Sequence, residues 1–558
     1  MKKLCSKEGR IILGVLLFFL LSANLLYWGS KKEGFFCDEL YSYHFTHQLQ
    51  NPYITEERET EGTWLNNWHS SDYFQDYLTL TEEEKFNLSG VWETIKEDVH
   101  PPFFYLLMNL SSSVFSTAFP GIFTKWSGIF VNIFFFLLTI LFLWKLAKEL
   151  TTSDFWAAAV CILYGFSAGA VSTVVFIRMY TIFTCLVVLF TYLNVLLWKA
   201  VWTKDGKESG LLYPLLSVTA LLGLLNQYYF LIYAFFICVV IWVYSLVRHK
   251  FLFAVKYASA MAVGIAGSCL IWPEILDDIF SGYRGEEAFE NLTAGGDWLY
   301  GLPELGTIIA GELFGKSVLL LLVIAIGLLL CRFLSRWWRV ETHTTEDGNT
   351  RFLFEKRMPV KKMELQFTMR DLIFVQILVA VFFYIVLISK IAPYKEDRYI
   401  FPVFPMIVLL VVVLCQKLVS GMTKGITTAA CAVLFVCMLL GYLSPGVNYL
   451  YRGTEDKLQT VSMHSDLPIV YVTTGSSYRA CGESVYFSKV KCTYPVKAGQ
   501  LDSIPDALVG VDSSSYLFFI DLNYESHDAI AKEIGSSISG GQMRWLFDTE
   551  YSAVYIME

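Results

Sequence analysis

The chain has 558 residues, of which 55% are hydrophobic and only 17% charged, with a formal net charge of −8. Soluble domains carry about a quarter charged residues, so this composition excludes a soluble globular protein for most of the length and points to the lipid bilayer. Nucleic acid is excluded as a partner, because the basic clusters sit beside apolar runs and form no separate basic face.

A crossing helix needs about 20 mostly apolar residues. In chain order the sequence predicts eleven of them, at 11–28, 126–146, 155–175, 179–201, 211–225, 228–247, 251–272, 318–334, 372–391, 399–415 and 426–443. The first has a basic start but is long and lacks a small-residue cleavage site, which favours a retained span over a signal peptide. An acidic loop, 29–125, follows it and ends in a twelfth apolar run, 103–119, which opens at Pro101-Pro102 and is interrupted by Ser111-Ser112-Ser113.

Charge parity decides whether that run crosses. With eleven crossings the basic clusters at 2–7, 145–148, 199–207, 248–250, 332–370 and 417–424 all fall on one side, as the enrichment of Lys and Arg in cytoplasmic loops requires. The expectation is a multi-pass protein of the cell membrane with a cytoplasmic N-terminus. Loops 29–125 and 273–317 then lie outside with the tail, and 103–119 is a juxtamembrane helix. Residues 1–445 form a membrane domain that includes the first external loop, and 446–558 a soluble extracytoplasmic domain.

The tail reads as a small α/β domain, with strand-like runs at 468–473, 516–521 and 553–557 and a helix at 528–534. The polar stretch at 341–350 is the one tract that reads as disordered. Most of the 12 cysteines lie in apolar runs and act there as small hydrophobes. Cys481 and Cys492, in the tail, are placed to close a small disulfide loop if the compartment is oxidising.

Four short motifs carry chemistry. Phe36-Cys37-Asp38-Glu39 pins an acidic pair just past the first span, where partial desolvation would raise a carboxylate toward the range of a general base. Asp98-Val99-His100-Pro101-Pro102-Phe103 sets a histidine before a stiff double proline. Arg178-Met179-Tyr180 and Lys395-Glu396-Asp397-Arg398-Tyr399 place cations at the outer ends of spans, against the positive-inside trend, as an external anion would require. Pairing of Arg398 with Glu396 or Asp397 is the alternative reading of the last motif. His44 and His47, one helical turn apart, are read as packing histidines in preference to metal ligands.

The order Asp-Glu, His-Pro-Pro-aromatic, Arg-Met-Tyr and Arg-Tyr-x-x-Pro resembles the GT-C membrane glycosyltransferases. The branch it is most similar to holds the protein O-mannosyltransferases and the bacterial aminoarabinose transferases. The resemblance implies a polytopic α-helical membrane fold of about 11 transmembrane helices with a small C-terminal α/β domain. It also implies transfer of a sugar from a polyprenyl-phosphate donor to a lipid, glycan or protein acceptor at the outer face of the membrane, in the cell envelope. Asp38 would be the catalytic base and Glu39 its companion; His100, Arg178, Lys395 and Arg398 would hold the lipid phosphate, and Tyr180 and Tyr399 would line the pocket. No cofactor is expected; some relatives bind a divalent metal, and that point stays open here. Where family members carry an arginine shortly before the second span, this chain has Lys125. A transporter or flippase of an anionic lipid-linked substrate is the competing reading, since it too needs cations within a helix bundle.

Overall fold

The computed structural model describes residues 7–49, 53–54, 64–202, 209–294, 299–315, 322–323, 325–327, 329–330, 338–344, 350–356, 368–420, 424–443, 446–509, 511, 513–538 and 542–557. Among them, seven helices are long and apolar enough to cross a membrane: Ile11–Ser30, Trp126–Thr151, Tyr180–Trp202, Phe230–Val247, Phe251–Ile271, Met369–Ile391 and Phe401–Val419. An eighth crossing follows if Asp154–Gly165 and Ala168–Val175, bent by 56° at their junction, count as one. The chain is a multi-pass membrane protein. Of the other predicted spans, 211–225 is the shorter helix Leu212–Asn226 and 426–443 is the helix Lys424–Leu443; 318–334 falls largely outside the described residues. Of the stretch 341–350, expected to be disordered, residues 341–344 and 350 belong instead to two antiparallel strands, β2 (Trp338–Thr344) and β3 (Thr350–Lys356), while 345–349 lie outside the described residues.

The chain divides into two compact units: Met1–Asn24, Phe135–Thr173 and Tyr180–Val447 form the first, and Leu25–Phe134, Val174–Met179 and Asn448–Glu558 the second.

In the first unit the helix Tyr180–Trp202 is apolar all round and buried along most of its length, as a helix without a polar face must be. Two of its polar side chains pair with neighbouring helices inside the bundle, where leaving them unpaired would cost several kcal/mol. Thr191 Oγ1 meets the Tyr233 hydroxyl at 2.8 Å, and Asn194 accepts from the Tyr257 hydroxyl at 2.5 Å. Gly264 lets its helix approach the Ser217 carbonyl, which would lie 2.6 Å from any Cβ placed there; close approach at small residues drives packing where lipid is as apolar as the partner helix.

The second unit is built on a six-stranded sheet of order β1-β5-β4-β6-β8-β7. Its strands are β1 (His69–Ser70), β4 (Ile469–Thr473), β5 (Cys492–Lys497), β6 (Tyr516–Asp521), β7 (Met543–Asp548) and β8 (Ser552–Met557). β5, β4 and β6 run parallel, and β8 pairs antiparallel to β6. β4, β6 and β8 are buried at every position, which is why they read as continuous apolar runs. Alternate residues serve two cores. Val470, Val472, Phe518 and Ile520 pack with Ile530 and Ile534 of the helix His527–Ser537. Ile469, Tyr471, Leu517 and Phe519 pack with Phe487, and with Trp64, Phe74 and Tyr77 from the first loop. The first loop also supplies β1, paired with β5 at His69↔Thr493. The loop and the tail therefore share one sheet and one core.

Candidate functional site

The Asp38-Glu39 pair occupies the first turn of the helix Cys37–His47, where negative side chains complement the helix dipole. The two carboxylates point to different partners. Glu39 is fully buried: its Oε2 accepts from the Phe36 N–H at 2.8 Å, closing the helix start as a capping box does. Its Oε1 accepts from the Ile177 N–H at 2.8 Å, and the equally buried Lys32 ammonium pairs with it at 2.9 Å while donating to the Tyr449 carbonyl at 2.7 Å. Burial pushes the Glu39 carboxyl up and the Lys32 amine down, and their mutual attraction opposes both shifts. The Phe36 and Ile177 N–H groups and the Lys32 side chain all donate to the Glu39 carboxylate. Asp38 is half-buried, and its backbone carbonyl accepts from Arg178.

Arg178 follows Ile177 directly and is buried to 4% exposure. Its Nη1 donates to the Asp38 carbonyl at 3.1 Å, to the Ser42 hydroxyl at 3.2 Å and to the Tyr105 hydroxyl at 3.1 Å. Its Nη2 lies 3.3 Å from His100 Nε2. On the other side of that ring, Nδ1 meets Asp98 Oδ2 at 2.8 Å, and the Tyr105 hydroxyl donates to the same oxygen at 3.4 Å. A carboxylate only accepts, so His100 Nδ1 carries a proton toward Asp98. Burial pushes the Asp98 carboxyl up, but the neighbouring His100 and Arg178 outweigh it and hold the group below the usual carboxylate range.

Two further contacts fix the segment that carries Arg178. Asn132 Nδ2 donates to the carbonyls of Val174 and Phe176, at 2.9 and 2.8 Å. Gly128 lies so close to Ile177 that an added Cβ would fall 2.1 Å from Ile177 Cγ2.

In the first unit, a 3₁₀ turn at Asp397–Tyr399 and a second at Phe401–Val403 lead into the helix Phe404–Val419. Arg398 is 5% exposed, pairs with Glu396 at 2.9 Å and lies 5.3 Å from the centroid of the Tyr399 ring. Tyr180 meets Tyr399 edge to face with centroids 6.4 Å apart, and Tyr229 does so at 5.9 Å. Lys395, half-buried, donates to the Ala392 carbonyl at 2.8 Å, and burial lowers its pKa.

The structure thus brings Asp38, Glu39, His100 and Arg178 together in the second unit, and Arg398, Tyr180 and Tyr399 together in the first, where Lys395 turns instead to the Ala392 carbonyl. Sequence reasoning did not single out Lys32, Ser42, Tyr105 or Asn132 as site residues. Only Tyr105 carried a signal, one helical turn past Pro101. Lys125 donates to the carbonyls of Lys32 and Ser30. His44 and His47 pack in the core: His47 Nδ1 meets the Leu78 carbonyl at 2.9 Å, and burial pushes it down to about 4. No metal-binding group of three or more His, Cys, Asp or Glu occurs among the described residues. The expected Cys481–Cys492 disulfide is absent; both thiols are free, and Cys481 is buried on the helix Ser477–Phe487 with its sulfur 3.6 Å from the Cys37 carbonyl and 3.7 Å from His44 Nδ1.

Among solved structures, the chain is similar to ArnT from Cupriavidus metallidurans bound to undecaprenyl phosphate, with a TM-score of 0.51 and 12% identity over 99% of this chain and 98% of that one. The apo state of the same protein matches with a TM-score of 0.48 at 12% identity, over 97% of each chain. An Archaeoglobus fulgidus oligosaccharyltransferase in complex with zinc and sulfate matches at 0.42 and 11% identity, over 92% of this chain and 72% of that one. No family model and no curated protein matches the sequence. At this identity the first of these likenesses shows the fold alone: the chain shares that protein's fold, polytopic and α-helical, with a small mixed sheet at its C-terminal end.

Proposed function

We propose that the chain is an integral membrane glycosyltransferase that moves a sugar from a polyprenyl-phosphate donor to an acceptor at the outer face of the membrane. The observation that carries this reading is the buried Arg178 guanidinium, hydrogen-bonded to the backbone carbonyl of Asp38 at 3.1 Å, so that a fixed cation stands beside the acidic pair just past the first span.

In the proposed reaction the acceptor oxygen attacks the anomeric carbon and Asp38 takes the acceptor's proton. The bond between that carbon and the donor phosphate breaks, and its electron pair leaves with the lipid phosphate. Arg178 stabilises the charge gathering there, as a pre-oriented guanidinium in a water-poor site does. His100, anchored by Asp98, orients Arg178. Glu39 acts differently from Asp38: it is a positioning residue, tying the helix Cys37–His47 to the backbone of Ile177 beside Arg178. The similarity to ArnT bound to undecaprenyl phosphate supports the lipid-linked donor.

The test is incubation of the detergent-purified chain with a panel of radiolabelled polyprenyl-phosphate sugars and cell-envelope fractions. Label should pass from at least one donor into the envelope material. If no donor is consumed under any condition, glycosyl transfer is wrong and lipid transport takes its place.

A further inference from the structure

The second unit contains a cavity of about 150 Å³ that the proposed reaction does not use. Its walls come from the start of the first loop at Gly34-Phe35, the turn and helix at 451–458, the helix Ser477–Phe487, and the turn between β7 and β8. A cavity of this size holds one six-membered ring.

The lining argues for the kind of ring. Phe35, Tyr451 and Tyr551 give it aromatic walls, and Tyr551 is fixed in place because its ring lies against Gly482, where an added Cβ would fall 2.1 Å from Cε2. The lining carries Arg452 and Lys457 with Glu483 and Glu550, which leaves no surplus of negative charge for a cation. Donors and acceptors around aromatic walls suit a neutral ring whose hydroxyls both donate and accept.

We propose that this cavity is a binding subsite for one uncharged sugar ring, presented by the saccharide acceptor. That the ring belongs to the acceptor rests on the function proposed above; that a sugar binds does not. The experiment is ligand-observed NMR on the detergent-purified full chain, with methyl glucopyranoside, methyl mannopyranoside, methyl N-acetylglucosaminide and methyl glucuronide as probes. Wild type is compared with Lys457→Met, which removes one donor, and Thr454→Phe, which fills the mouth; thermal unfolding confirms that each variant is folded. The expected result is saturable binding of at least one neutral glycoside, no preference for the glucuronide, at least fivefold weaker binding in Lys457→Met, and loss of binding in Thr454→Phe. Binding that both variants leave unchanged overturns the subsite, and so does the absence of probe binding in a preparation that consumes labelled donor. Binding lost in the variants, from a preparation that consumes no donor, upholds the subsite and removes the glycosyltransferase reading.

Discussion

Glu39 and Lys32 form an ion pair with no solvent exposure on either side chain. Two charges taken out of water repay that cost only when both are present, and removing one strands the other at about 3–5 kcal/mol. Glu39→Gln should therefore lower the thermal unfolding midpoint sharply, while the double replacement Glu39→Leu with Lys32→Met should recover much of it. The double variant should nonetheless lose transfer, since leucine offers the Ile177 N–H no acceptor and no longer holds the segment that carries Arg178. A double variant no more stable than Glu39→Gln would contradict the pair's structural role. The sequence disclosed that an acidic pair stands past the first span, but not that its two members do different work. That division depends on Lys32 and Ile177, which only the fold brings to Glu39.

At the scale of the element, the segment Val174–Met179 is held by Asn132, Glu39 and the flat surface of Gly128. A valine at 128 would put atoms where Ile177 Cγ2 now lies. Gly128→Val should displace the segment and reduce turnover by tenfold or more, with a smaller effect on the unfolding midpoint than on rate; unchanged kinetics would show that the segment's position is immaterial.

The helix Ser477–Phe487 carries a second prediction. Burial pushes the Glu483 carboxyl up to about 7, with Asp521 adding to the rise and Thr549, Ser552 and Arg479 opposing it. A folded-state value above the unfolded one makes this group's contribution most favourable below the unfolded value of 4.5, and that contribution is lost as pH rises through about 7. The difference amounts to about 3 kcal/mol above neutrality. Glu483→Gln should raise the unfolding midpoint at pH 8 relative to wild type and flatten its pH dependence between 4.5 and 7; a midpoint equally pH-dependent in both proteins would contradict the burial argument.

Strands β4, β6 and β8 were legible because burial on both faces leaves continuous apolar runs. β5 was not, because Pro495 interrupts it; β7 was hidden by a half-exposed pattern, and β1 is two residues long.

At the scale of the whole molecule, the first loop and the tail share a sheet although several hundred residues separate them. Trp64, Phe74 and Tyr77 find their cover in the tail, and Lys32 finds one of its acceptors at Tyr449. Deleting residues 448–558 should therefore give a protein that neither accumulates nor transfers sugar, measured as yield from membranes and activity per molecule. An active truncated chain would show that the loop folds without the tail. Periodicity revealed the multi-pass architecture and the α/β character of the tail, because each is written in local apolar patterning. The shared core was invisible to that patterning, since Trp64, Phe74 and Tyr77 carry no local mark of a partner so far along the chain.

The proposed reaction stands or falls on Asp38. The most direct measurement compares wild type with Asp38→Asn, purified in the same detergent, in transfer of radiolabel from a polyprenyl-phosphate sugar to cell-envelope acceptor. The side chains are nearly isosteric and differ in the capacity to take a proton, so the account predicts a loss of at least 100-fold in rate with an unchanged unfolding midpoint. A folded Asp38→Asn protein with wild-type activity would place the base elsewhere and contradict the central assignment.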